Sequence, residues 1–334
     1  MCRMGPDTST PTAVGPPVPA PRGAMTPGAA TERRWTPSWP IDLGTTLEVL
    51  QHGRYDPTLR LVGREVWRTT RTPDGPATVR YARSGADVLA TAWGPGAGHE
   101  LDALPDVLGA GDDPAGFAAG AHPVMAAAHE RFGLGWRVLR TTRVLEALVP
   151  AVLEQRVTGL EASRAWAGLV RGFGEPAPGP AFADRPMLVA PDGAGWARIP
   201  SWAWHRAGVD PGRARTIITL ARRAEALESL PARTPEEAGL AMRSLPGIGV
   251  WTAAEVAVRA LGDADAVSFG DFHLARTIVH FLTGRTDGTD EQLAELLTPW
   301  AGQRARAVRL LRLNGGQTLP RHAPRATITD HRVR

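Results

Sequence analysis

Leu245-Pro246-Gly247-Ile248-Gly249-Val250-Trp251-Thr252-Ala253, LPGIGVWTA in one-letter code, breaks a stretch that otherwise has helical spacing. Before it, Leu240, Met242 and Leu245 form an apolar face that stops at Pro246; after it, Val250, Ala254, Ala257 and Leu261 begin another. Two helices joined by a very short turn are expected. Glycine at 247 and 249 opens backbone angles closed to other residues and lets a foreign backbone approach. The amides of the turn and of the next helix's first residues lack intrahelical acceptors, so they can receive an anion such as a DNA phosphate. Taken by itself, the stretch also fits an ordinary connector in which glycine serves geometry alone.

Outward from the hairpin, helix signals dominate. Asp210-Pro211 is an N-cap followed by proline at the first helical position, leading into Ile217, Leu220, Ala221 and Ala224. Thr234-Pro235-Glu236-Glu237 and Thr289-Asp290-Glu291-Gln292 each fit a capping box, the second opening a helix with Leu293, Leu296, Leu297 and Trp300 on one face. Leu145, Leu148, Val149 and Val152 mark an earlier helix, which Pro150 is expected to kink or delay. Between these lies a Pro/Gly-rich connection over 175–200.

Before residue 120 the pattern is that of strands: TLRLV, EVWRTTR, the turn Pro73-Asp74-Gly75, ATVRYAR and DVLATAW predict a small antiparallel sheet. The GPGAGHE segment at 94–100 lacks the strand-turn-helix spacing of a phosphate loop and is expected to be a loop. The fold class is α+β, organised as an N-terminal α+β domain over 35–125 and a helical domain over 126–313. Residues 1–34, rich in Pro, Gly, Ala, Thr and Ser without periodicity, are expected to be disordered, and 314–334 to form a basic, flexible tail.

All 38 basic residues counted as Lys+Arg are arginines, and this gives a sequence pI near 10.3 at a net charge of only +4. Arginine grips phosphate through paired hydrogen bonds, so a nucleic-acid partner fits; a genome biased in base composition gives the same swap. The lone cysteine, Cys2, excludes a disulfide framework and thiolate metal sites. No run approaches the roughly 18 apolar residues of a membrane span, and no signal-peptide core is present. A cytoplasmic protein without metal or cofactor, and without membrane contact, is expected.

The hairpin also resembles that of the helix-hairpin-helix DNA glycosylases, in particular the 3-methyladenine DNA glycosylase II type. The resemblance rests on LPGIGVWTA with Ser268-Phe269-Gly270-Asp271-Phe272-His273-Leu274 downstream, and extends to EALVPAVLEQRV at 146–157, WHRAGVDPGRARTI at 204–217 and TPWAGQRARAVRLL at 298–311. It implies a monomeric enzyme that flips a damaged base out of double-stranded DNA and cuts its N-glycosidic bond. Leu245, Gly247, Ile248, Gly249 and Thr252 would grip DNA, joined by His273 and Arg304; Arg156 would fill the hole left by the base. Gln155, Trp251 and Glu255 would line the base pocket.

Asp271 is the carboxylate that the resemblance places beside the deoxyribose, where it would stabilise positive charge; as a residue it also reads as a helix N-cap. Trp251 reads as pocket wall or core anchor, His273 as phosphate contact or surface histidine, and Arg156 as wedge or solvated helix arginine. Strand-nicking relatives carry a lysine where this chain has Trp251, and the chain contains no lysine, so a monofunctional glycosylase for alkylated purines is expected. Glu255 and Arg309 stand where the resembled type has aromatic residues. These departures keep two other readings open: a non-catalytic damage-recognition module, and a glycosylase for another damaged base.

Overall fold

A computed structural model of the chain describes residues 29–180, 182 and 184–315. Five strands, β1 Thr31–Trp35, β2 Leu59–Val62, β3 Glu65–Thr72, β4 Gly75–Ser84 and β5 Asp87–Trp93, form an antiparallel sheet in the order β1-β5-β4-β3-β2. Alternation decides its faces. Val66 lies opposite Tyr81 and Tyr81 opposite Ala90, while Arg68, Val79 and Ala92 make the neighbouring row. This face packs on α1 Leu43–Leu47 and α2 Ala97–Asp102 through Leu43, Leu47 and Leu101.

Two expectations change here. β1 falls mostly within the segment expected to be disordered, and it is a strand because it pairs along β5, with Trp35 opposite Val88. GPGAGHE, expected as a loop, is one only over 94–96; residues 97–100 open α2, because the burial of Ala97, Glu100 and Leu101 outweighs the low helix propensity of Gly98. Residues 1–28 and 316–334, which hold the rest of the segment expected to be disordered and most of the expected tail, lie outside the described residues.

The helical part contains α3 Val144–Leu153, α4 Gly159–Phe173, α5 Pro211–Ala221, α6 Pro235–Arg243 and α7 Val250–Val256, followed by α8 Leu274–Thr283, α9 Asp290–Leu296 and α10 Arg304–Leu313. Its main core gathers Leu148, Val149, Trp166, Ile217, Met242 and Ile248, and a second core under α8–α10 gathers Ile278, Leu293, Leu310 and Leu311. Both predicted capping boxes form, at Thr234 with Glu237 and at Thr289 with Gln292. Pro150 does not delay α3. The helix begins at Val144, where the Glu228 carboxylate accepts the Val144 and Leu145 amides at 3.0 and 2.9 Å. The Pro150 carbonyl still accepts from the Glu154 amide at 3.0 Å.

The Pro/Gly-rich connection covers the sheet's other face. Its Met187 and Phe182 pack on Trp67 and Trp93, whose rings stack at 5.5 Å, and the Leu188 carbonyl accepts from the Thr69 hydroxyl at 2.6 Å. Sheet and helices are stapled by a buried ionic group. Arg68 donates to Glu100 of α2 at 3.0 Å and to Glu146 of α3 at 2.8 Å, and the Thr70 hydroxyl donates to Glu146 at 2.6 Å. Burial opposes the Arg68 charge, but Glu146 and Glu100 outweigh it and hold the guanidinium above its ordinary range. Among the described residues no helix is long and apolar enough to cross a membrane, and no cluster of His, Cys, Asp and Glu could hold a metal ion.

Candidate active site

Residues 244–249 join α6 to α7. Ile248 is buried and Leu245 half-buried against the main helical core, so apolar side chains anchor the turn and leave its backbone outside. The two glycines differ. Gly247 has φ +86°, and a Cβ there would lie 2.6 Å from the Thr216 hydroxyl, so both conformation and space demand glycine. Gly249 is extended, with φ −93°, and a Cβ would meet nothing within 4 Å. Contrary to the sequence expectation, Gly249 is not required by backbone angle; its bare Cα only keeps approach to the turn open.

Thr252 and Gln155 also take other positions than expected. Thr252 is 2% exposed, so its side chain faces inward rather than toward DNA. The Gln155 amide donates to its hydroxyl at 2.9 Å and to the Gly247 carbonyl at 3.0 Å. That makes Gln155 a strut between the end of α3 and the hairpin, not an open wall of a pocket. The next residue, Arg156, is exposed and held at φ +57°, in the left-handed region. Its side chain is thereby thrown outward beside the hairpin, ahead of the Thr158–Glu161 capping box that starts α4.

Asp271 is fixed from both sides. One carboxylate oxygen, Oδ1, accepts the His273 and Leu274 amides at 2.8 and 2.9 Å and so starts α8, as the capping reading requires. The other, Oδ2, accepts the Trp251 indole N–H at 3.1 Å. Trp251 itself is half-buried, with its ring against the main core on one side. Beyond Asp271, Phe272 is 79% exposed and meets the exposed His273 ring edge-on at 4.8 Å.

Glu255 sits one turn past Trp251 and is no free surface carboxylate. Arg259 pairs with it at 2.6 Å, the Ser268 hydroxyl donates to its other oxygen, and Arg259 also reaches the Val49 carbonyl at 2.9 Å. Burial pushes the Glu255 carboxyl up, but Arg259 and Ser268 prevail and hold it below the ordinary glutamate value. Arg304, expected on DNA, is turned away: its guanidinium is ion-paired with Asp265, whose Oδ1 also accepts the Arg304 amide at 2.9 Å. Arg309 reaches across to α1 and bonds the Thr45 carbonyl at 3.2 Å and the Glu48 carboxylate.

Three groups here escaped the sequence reading. Glu154, the last residue before Gln155, has its carboxyl 4.0 Å from the His52 ring and within electrostatic reach of Glu255, Arg259 and Asp271. His52 comes from the loop after α1, and burial lowers its imidazole pKa despite the opposing charge of Asp56. Arg259 was foreshadowed only by its helical spacing from Glu255. Asp271, Trp251, Glu255 and the end of α3 therefore surround one site with the hairpin at its edge, while Thr252 and Arg304 point elsewhere.

No family model and no curated protein matches the sequence. Solved structures do match the fold. The chain is similar to the 3-methyladenine DNA-glycosylase from Archaeoglobus fulgidus, with a TM-score of 0.70 at 18% identity over 84% of this chain and 98% of that one. It is also similar to the Clostridium acetobutylicum 8-oxoguanine glycosylase/lyase bound to double-stranded DNA with cytosine opposite 8-oxoguanine, with a TM-score of 0.63 at 11% identity over 86% and 97% of the two chains. The apo form of the same enzyme gives 0.65 at 11% identity over 87% and 100%. The chain thus has the fold of the helix-hairpin-helix DNA glycosylases, an α+β architecture.

Proposed function

We propose that this protein is a monofunctional, monomeric DNA glycosylase that flips alkylated purines out of double-stranded DNA and hydrolyses their N-glycosidic bond. The observation that carries the reading is the Asp271 carboxylate, tied to the first amides of α8 and to the Trp251 indole at 2.8 to 3.1 Å. A carboxylate fixed this way does not have to reorganise when positive charge grows on the sugar. At about 4 Å and an effective dielectric near 20, the attraction is worth roughly 4 kcal/mol. A 3-methyladenine or 7-methylguanine base is cationic while attached and departs neutral, and the carboxylates of Glu255 and Asp271 suit such a ring, with Trp251 as a stacking surface.

Support for the monofunctional reading comes from position 251, where an indole replaces the amine that a Schiff base needs, and from the absence of lysine in the whole chain. Double-stranded DNA would be held by the hairpin backbone and by exposed Arg156 and His273. A non-catalytic damage-recognition role is favoured by one feature: both Asp271 oxygens already have partners. One experiment decides. Methylated DNA incubated with the wild type should yield free 3-methyladenine and 7-methylguanine, and Asp271→Asn should slow release by about 100-fold or more. Absence of release by the wild type would sink the enzymatic reading, and unchanged release by the variant would remove Asp271 from catalysis.

A further inference from the structure

Three carboxyl groups meet at the site, and they are bonded very differently. Asp271 accepts three N–H donors, and Glu255 has Ser268 and Arg259. The Glu154 carboxyl accepts no hydrogen bond among the described residues; the His52 ring nitrogen lies 4.0 Å from it. Its side chain is 35% exposed, so a ligand can reach it. Its backbone is not loose, because the Glu154 amide closes the last turn of α3 on Pro150 and the following Gln155 is bonded to the hairpin. Glu154 is therefore a positioned carboxyl without a job in the chemistry assigned to Asp271.

Resting on the glycosylase reading, we propose that Glu154 is a proton donor to the leaving base, extending the reaction from cationic alkylated purines to neutral damaged purines such as hypoxanthine. A neutral purine would otherwise depart as an anion, a poor leaving group at neutral pH. As the bond between C1′ and N9 breaks, its electron pair goes to N9 and the Glu154 proton passes to a ring nitrogen, so the purine leaves neutral. The cation at C1′ stays beside the Asp271 carboxylate. Water then adds to C1′, and its released proton returns to the Glu154 carboxylate.

The surroundings suit an acid. Burial pushes the Glu154 carboxyl up to about 7, with Glu255 and Asp271 adding to the rise and Arg259 opposing it. The groups that face it are His52 from the loop after α1, Glu255 and Arg259 from α7 and its continuation, and Asp271 from the loop before α8. A general acid is most effective with its pKa near the working pH and contributes roughly 100- to 10,000-fold.

The test is single-turnover release of hypoxanthine and of 7-methylguanine from matched duplexes between about pH 5.5 and about pH 8.5, with the full-length wild type, Glu154→Gln and Glu154→Asp. Glu154→Gln keeps the size and neutrality of the protonated group but has no proton to give. The expected result is a hypoxanthine rate that falls above about pH 7 in the wild type. In Glu154→Gln that pH dependence should flatten, and the ratio of hypoxanthine to 7-methylguanine release should fall by about 100-fold, with partial recovery in Glu154→Asp. An unchanged ratio, an equal loss on both substrates, or a wild type that releases 7-methylguanine but no hypoxanthine overturns the inference. A wild type that releases neither base overturns the glycosylase reading itself, which the 7-methylguanine arm reports separately.

Discussion

Two arginine–carboxylate groups occupy this molecule, and they share residue types without sharing a role. At the staple, Arg68 and Glu100 are sealed at 2% and 1% exposure and Glu146 completes the pairing. At the site, Arg259 faces Glu255 and Glu154, Asp271 lies within electrostatic reach of Glu154, and all three carboxyls are partly exposed. Between them lies a small cavity of about 20 Å³ lined by His52, Arg68, Glu146 and Arg259 among others, enough for one water. The staple holds the two layers together, although Glu146 is 27% exposed and one buried Glu100 oxygen has no hydrogen bond among the described residues. Both groups set more carboxyls than arginines together; what separates them is bonding, since both Glu146 oxygens have donors while the Glu154 carboxyl accepts no hydrogen bond among the described residues.

Breaking the sealed group should have the largest effect on stability. Arg68→Ala leaves Glu100 buried without its partner, and chemical denaturation should show a loss of about 3–5 kcal/mol. A loss under about 1 kcal/mol would mean that the staple is a bystander and the contrast false. The same sealed-and-open distinction recurs inside the hairpin. Gly247→Ala forces a side chain to φ +86° and against Thr216, so a thermal melt should report a loss of about 2 kcal/mol.

The open group is sharpened by titration. The Glu154 carboxyl is raised from 4.5 to about 7, so the native state holds a proton over that range that the unfolded chain has released. Wild-type stability from this group therefore falls as pH rises from 4.5 through about 7 and stays lowered above it. Glu154→Gln should match the wild type near pH 4 and exceed it by about 1 kcal/mol at pH 8, the side chain's exposure screening the rest. A difference that stays constant from pH 4 to pH 8 would show that the carboxyl is not raised. The smallest effect belongs to Gly249→Ala, which should change stability by less than about 0.5 kcal/mol in the same melts yet weaken DNA binding in a fluorescence titration.

Much of this arrangement was legible because it is local. The capping boxes at Thr234 and Thr289, the Asp210 cap and the alternation in ATVRYAR each depend on residues a few positions apart. The hairpin was legible for the same reason, and Asp271 through the resemblance of its surroundings. What escaped was created by packing. The AGHE part of GPGAGHE is helical because the sheet buries Ala97 and Leu101, and no local propensity carries that information. Glu154 meets His52 only when the first layer docks on α3, and Arg304 turns to Asp265, 39 residues away in sequence. Gln155 was placed in the pocket by the resemblance alone, whereas its amide serves the hairpin carbonyl of Gly247.

Arg156 carries a consequence for how the chain can change. A side chain at φ +57° costs about 1 kcal/mol that glycine would not incur, so Arg156→Gly relaxes the backbone while removing the group proposed to fill the gap in the duplex. Selection for a sturdier protein and selection for base release would pull this position in opposite directions. In a library sorted only for folding, glycine would spread at 156; in one sorted for repair of damaged DNA, the bulky residue would persist at the expense of melting temperature.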